Sequence, residues 1–397
     1  MMSWYKTMLG GTVAAVGLAA ATAQAQDAVV WRTQGVTKNE IVLGTHTDLS
    51  GVLASFGVPT TNAAILRVEE TNAAGGIHGR KIRFIVEDTQ YQVPKAVQAG
   101  NKLINRDHIF AMVGGLGVAQ NNAILVTQLK AGVPNLFPNT VARQMTEPFN
   151  PLKFSLFATY YDQVRAGTRH IVETKGKKAV CAMYQDTDFG KELVTGLGAQ
   201  LAEMNQKIVE RTTHKPTDQD FTADLIRLRG ANCDFIVVGT VIRDTILAYS
   251  TARRMGWDVD MMGTTASYDT VVANAPGGQT DGFYSMGVID PLYRDTATPE
   301  VARWMDKYKA RFDTEASIAA ALGYVIMDTT IHALDRAGPN LTTETLVKAI
   351  EGINGYRDIF NGPSINFGTE RHVGSTKAIL YQVQNGRWKR MSDPLGF

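Results

Sequence analysis

Cysteine is almost absent: the 397-residue chain has two, Cys181 and Cys233. That is too few for a disulfide framework or a paired-cysteine zinc site. Cys181 falls inside a predicted strand and Cys233 at the start of another. Two separate, small buried thiols are the expectation, although an oxidising compartment would permit a bridge. An excess of charge is also missing. The 40 basic and 38 acidic side chains leave a formal charge of +2, which gives no electrostatic case for nucleic acid or an anionic membrane as a partner. Catalytic signatures are lacking as well. There is no G-x-S-x-G elbow and no H-E-x-x-H, and none of the seven histidines stands four residues from another. Gly114-Gly115 with Gly117 resembles a piece of a dinucleotide loop without its six-residue spacing. The chain is therefore expected to be no enzyme and to need no cofactor and no metal.

Long hydrophobic runs are confined to the first 25 residues. Lys6 precedes an uncharged, Ala/Gly-rich stretch from Met8 to Ala23, and Ala23-Gln24-Ala25 follows. The stretch is shorter than the ~20 apolar residues of a spanning helix, and small residues stand where signal peptidase cuts. A cleaved signal over residues 1–25 and a periplasmic mature protein are expected.

What the chain does have is alternation. Strands read at 37–47, 80–87, 109–113 and 133–137, with helices at 59–73, 94–105 and 121–130 between or after them. The same order recurs with strands at 179–184, 207–211, 234–238 and 259–262 and helices at 189–204, 221–229 and up to Arg254. Strands ending in Gly, Ser or Asp and alternating with helices of this length predict two Rossmann-like α/β halves with parallel sheets. The tail differs. Helices are predicted over 299–312, 318–337 and 341–350, then a hairpin about Asn385-Gly386. So few strands give those helices no core of their own, so they are expected to pack on the first half.

Several segments resemble the leucine/isoleucine/valine-binding family of periplasmic receptors. They are Glu40-Ile41-Val42-Leu43-Gly44, Leu49-Ser50-Gly51 with Phe56-Gly57, residues 72–80 (NAAGGIHGR), Val86-Glu87-Asp88, Val113-Gly114-Gly115, Gly132-Val133-Pro134, residues 184–191 (YQDTDFGK), Asp220-Phe221-Thr222 and residues 252–256 (ARRMG). Their order and spacing carry the resemblance. It implies a type I periplasmic binding protein, in which a three-crossing hinge joins the two lobes. Lobe one would comprise 38–155 plus 284–364, and lobe two 156–283 plus 365–397, with crossings near Ser155, Phe283 and Ser364. It further implies a monomer that captures a small-molecule solute and delivers it to a membrane ABC permease. A soluble adaptor for a chemoreceptor or sensor kinase is the other role open to such a chain.

The same resemblance assigns the cleft. Phe56 matches an aromatic that packs on the ligand's apolar part, and Phe189 a second aromatic position. Val118 and Ala119 fall where amino-acid binders place a hydroxyl that grips the α-carboxylate. Asn139, Thr140 and Val141 fall on the next carboxylate-holding loop. Tyr160, after the first crossing, and residues 116–125 look similar to relatives that take up aromatic acids. Val241 stands where a tyrosine is frequent, and Thr265 where an acidic residue meets the ammonium group. Neither can pair with a cation, and a buried unpaired ammonium is costly. The expected solute is an aromatic or aliphatic carboxylate, and the alternative is a branched-chain or other amino acid. Asp186 or Asp188 could still serve an amine by turning into the cleft. Arg243 could meet a carboxylate, although a solvated surface position is the expectation.

Overall fold

Ile41, Val42 and Leu43 are all buried although they point alternately to opposite faces, as in a strand covered by helices on both sides. The computed structural model describes Met1 and residues 31–396; beyond Met1, the signal segment expected over 1–25 lies outside the described residues. The first lobe contains β1 (Glu40–Thr47), α1 (Ala54–Ala73), β2 (Lys81–Asp88), α2 (Val93–Asn105), β3 (Ala111–Val113), α3 (Val118–Lys130), β4 (Asn135–Leu136) and β5 (Lys153–Phe154). Its five strands are parallel, in the order β2-β1-β3-β4-β5.

The second lobe repeats this winding. After α4 (Tyr160–Lys175) come β6 (Val180–Gln185), α5 (Asp188–Glu203), β7 (Arg211–His214), α6 (Thr222–Gly230) and β8 (Phe235–Gly239). Then follow α7 (Ile242–Arg254), β9 (Asp260–Gly263), α8 (Thr270–Ala273) and β10 (Tyr284–Gly287). The parallel strands run β7-β6-β8-β9-β10, the first lobe's order moved along the chain. Both sheets thus have their switch point between the first and third strands of the repeat, where open α/β sheets bind ligands.

The tail then serves both lobes. The helices α9 (Pro299–Phe312), α10 (Ile318–Arg336) and α11 (Thr343–Glu351) return to the first, with α10 along α1 and α11 on α10. The strands β11 (Lys377–Gln384), β12 (Arg387–Arg390) and β13 (Leu395–Gly396) extend the second sheet in antiparallel fashion. Asn385 and Gly386 have φ of 53° and 71°, as the two-residue hairpin turn requires. The first and third connections between lobes lie side by side, with Ser155 N donating to His372 O at 2.9 Å and Gly374 N to Ser155 O at 2.8 Å.

Four expectations need correction. Cys181 and Cys233 are not separate thiols but are joined in a disulfide, with Cα atoms 5.9 Å apart. Pairing of β6 with β8 across the intervening β7 brings them together. The helix expected from Pro59 begins at Ala54, because Asp48 accepts from the N–H groups of Gly51 and Leu53 and turns the chain early. The strand expected over 207–211 is β7 at 211–214. Finally, β10 pairs inside the second sheet, so the chain leaves that sheet after Gly287 rather than near Phe283.

One glycine fixes the spacing of the helices behind the cleft. A Cβ on Gly323 in α10 would stand 2.0 Å from the Thr60 carbonyl oxygen of α1. Backbone cannot swing aside as a side-chain tip can, so Gly323→Ala is expected to cost about 1–3 kcal/mol. The urea midpoint measures this, and an unshifted midpoint would mean that the helices part without cost.

Candidate ligand-binding cleft

The carboxyl ends of six parallel strands converge on one cavity, whose empty space of about 760 Å³ includes its opening to solvent. From the first lobe, the segment after β1 supplies Leu53, Ser55 and Phe56, that after β3 supplies Leu116, Gly117 and Val118, and that after β4 supplies Asn139, Thr140 and Val141. From the second, Phe189 follows β6, Val241, Ile242 and Arg243 follow β8, and Thr265 and Ala266 follow β9. Tyr160 opens α4 and stands edge-on to Phe189, with ring centroids 5.0 Å apart. Leu322 and Ile326 of α10 close the back. The wall is mainly aliphatic and aromatic with a few convergent polar groups, the usual make-up of a small-molecule site.

Those polar groups are few enough to follow one by one. Thr140 is 3% exposed, and its Oγ1 and the Asn139 Nδ2 are buried without a hydrogen-bond partner. The Thr140 hydroxyl lies near Tyr160 without forming a bond of acceptable geometry. Burial pushes the Tyr160 phenol up to about 12, against the opposing influence of Thr140 and the Val141 backbone, so the ring is neutral at physiological pH. Burial raises the Tyr91 phenol in the same way. The Thr265 hydroxyl is engaged, accepting from Gln163 Nε2 at 3.2 Å. Neither α3 nor α7 has a side-chain cap, so both present free N–H groups at the cavity edge.

The structure brings Phe56, Val118, Asn139, Thr140, Tyr160, Phe189, Val241 and Thr265 to this wall. It does not bring Ala119 or Asp188, which are both outside the lining. Ala119 follows Val118 by about 100° around α3, and one step on a helix turns a side chain off the shared face. Asp188 instead accepts from Asn122 Nδ2 at 2.9 Å, bonding the two lobes to each other. Asp186 is exposed beside Lys191. A second contact between lobes joins the Arg143 fork, in the first lobe, to Glu192 of α5 at 2.9 and 3.1 Å. Arg143 also lies over the Tyr161 ring, 3.9 Å from its centroid. Sequence reasoning missed Tyr91, reached Leu116 only through the 116–125 segment, and favoured a solvated surface position for Arg243, which lines the cavity at 30% side-chain exposure. Among the described residues no group of His, Cys, Asp and Glu is arranged to hold a metal ion, and no helix is long and apolar enough to cross a membrane.

Two lobes of one winding, with an apolar cleft at their paired switch points, define a protein that encloses a small ligand between its halves. The chain belongs to the periplasmic binding protein family, whose pattern matches residues 40–387. It is 24% identical over 272 residues to an amino acid binding protein of Pseudomonas aeruginosa, covering 68% of this chain and 72% of that one. Among solved structures, it resembles a branched-chain amino acid ABC transporter protein from Thermus thermophilus with bound valine. The TM-score there is 0.83 at 19% identity, with 91% and 98% of the two chains covered. A solute-binding protein of an R. palustris ABC transporter in complex with benzoate superposes with a TM-score of 0.78 at 18% identity, covering 90% and 97%.

Proposed function

We propose that this chain is the solute receptor of an ABC importer, that it works in the periplasm, and that its solute is an aromatic or aliphatic carboxylate rather than an α-amino acid. The observation that carries this is the composition of the wall: no Asp or Glu lines the cavity, among the described residues, while Arg243 does. An α-ammonium shut into that space would lose its water and gain no counter-ion, at a cost of several kcal/mol. A carboxylate finds donors on both lobes, and the apolar wall takes the rest of the molecule. Closure would occur about the crossings near Ser155 and Ser364, and the closed form would dock on a membrane ABC permease.

Ligand-stripped protein tested by thermal shift should respond to benzoate, hydroxybenzoates or medium-chain fatty acids and not to leucine or valine. A ligand at a hundred times its dissociation constant stabilises by about 2.7 kcal/mol, which such a scan resolves. Equal or larger shifts with leucine or valine would overturn the carboxylate reading and leave an amino-acid receptor.

A further inference from the structure

Resting on that reading, the geometry points to Arg243, in the second lobe, as the group that binds the solute carboxylate. Asn139 and Thr140 in the first lobe then take a neutral oxygen function at the solute's other end. The polar groups at the two ends of the cleft differ in kind. At the first-lobe end, Thr140 Oγ1 and Asn139 Nδ2 are neutral and unpartnered. At the second-lobe end the lining includes Arg243, in the first turn of the uncapped helix α7. Hydrogen bonds from a charged donor to a carboxylate are roughly twice as strong as those from a neutral donor.

Arg243 is held in place for this role. Its Nε and Nη2 donate to Asp244 Oδ1 at 2.8 and 2.6 Å, and Nη2 also reaches the carbonyls of Pro216 and Asp218 at 2.7 and 2.9 Å. These bonds leave Nη1 unengaged. Asp244 does not cancel the guanidinium outright. It is fully buried, its Oδ2 accepts from Gln185 Nε2 at 3.0 Å, and that oxygen faces the His214 Nε2 at 3.5 Å. A carboxylate shared in this way holds the arginine rigid and leaves it donors to give. A surface arginine would have to be ordered when ligand binds; this one is ordered beforehand, which lowers the cost of association.

The implied solute is a monocarboxylate whose apolar body ends in a hydroxyl or carbonyl, with the acid directed at lobe two. Titration calorimetry of the mature chain with benzoate, 4-hydroxybenzoate and terephthalate tests this. The wild type should bind 4-hydroxybenzoate at least tenfold more tightly than benzoate. Arg243→Gln should weaken both at least tenfold. Thr140→Val should weaken only 4-hydroxybenzoate, bringing it close to benzoate. Because Arg243→Gln leaves Asp244 buried without its cation, the double variant R243Q/D244N removes the pair together and should show the same loss. The assignment fails if either Arg243 variant, shown folded by its melting curve, binds as the wild type does. It also fails if Thr140→Val weakens benzoate as much, which puts the acid on lobe one, or if terephthalate binds best, which makes both ends anionic. It fails, too, if none of the three acids binds. Leucine binding in place of every acid would sink the carboxylate reading itself, so the two failures are distinguishable.

Discussion

Reducing the disulfide between Cys181 and Cys233 is expected to cost the protein about 4 kcal/mol, the loop-closure value for cysteines separated by 52 residues. The loss falls on the unfolded chain, which regains the freedom of that loop. The folded state changes little, because both cysteines are already buried and a thiol packs as a small hydrophobe. The bridged segment contains α5, β7 and α6 and ends at β8, so one bond ties the segment that joins the first three parallel strands of the second lobe. Phe189 follows β6 and Val241 follows β8, which puts two walls of the cleft on the tied strands. Urea unfolding of the oxidised protein, of the protein unfolded and refolded under reductant, and of the Cys181→Ala/Cys233→Ala variant should therefore give two midpoints. The first species stands well above the other two. Coincident midpoints for all three would mean that the reduced chain keeps its β6–β8 pairing when unfolded, and the loop-closure argument would fall.

That bridge also marks the boundary of what can be read from residue order. The alternation was legible because parallel strands buried on both faces appear as short apolar runs, such as Phe235, Ile236, Val237 and Val238 in β8. The helix α9 was legible to its ends, since Thr298 accepts from the Val301 N–H as an N-cap and Pro299 fits the first turn. Neighbour relations between strands are a different matter. Nothing in Cys181 or Cys233 announces that β8 lies against β6 while β7 goes to the sheet edge. That edge strand, Arg211–His214, alternates exposed and buried residues, and the more apolar stretch before it drew the expectation four residues too early. In the cleft, positions fixed by strand ends were legible, because each lies just beyond the carboxyl end of a predicted strand. Arg243 was not. A long cation after a strand reads as a surface residue until the 216–218 segment is seen to fold over and accept from it. Ala119 and Asp188 failed for a simpler reason. A helix start admits only part of its first turn to a cleft, and the remaining side chains turn to a neighbouring helix.

Acid is expected to destabilise the protein through His46 by about 3 kcal/mol between pH 6.5 and pH 4. His46 lies on β1, fully buried, beside Gly115 and Asn121. Burial lowers its pKa to about 4, with the Asn121 side chain opposing. In the unfolded chain the imidazole takes a proton near pH 6.5, while in the folded protein it stays neutral until about pH 4. Above pH 6.5 both states are neutral and this group contributes no pH dependence. As the pH falls from 6.5, only the unfolded state gains the proton, and the loss is complete once the folded ring protonates. Asp269 acts in the opposite sense. Burial raises its carboxyl to about 6, against the N–H groups of Val271 and Ala319, so the folded state takes that proton first and gains stability as pH falls toward 3.8. The two terms overlap in the whole-protein profile, and a variant separates them. His46→Leu should remove the His46 fall of about 3 kcal/mol between pH 6.5 and 4 and leave the Asp269 contribution as a rise of similar size, about 3 kcal/mol, as the pH falls from 6 toward 3.8. Urea midpoints at pH 7 and pH 4.5 measure it. The effect also reaches the cleft, because Leu116 N donates to the His46 carbonyl at 2.9 Å and Leu116 lines the cavity. Protonation of the folded ring, which loosens β1 against the loop after β3, should therefore weaken solute binding only as the pH falls through about 4. A His46→Leu protein whose pH profile matches the wild type would show that another group sets the acid limit.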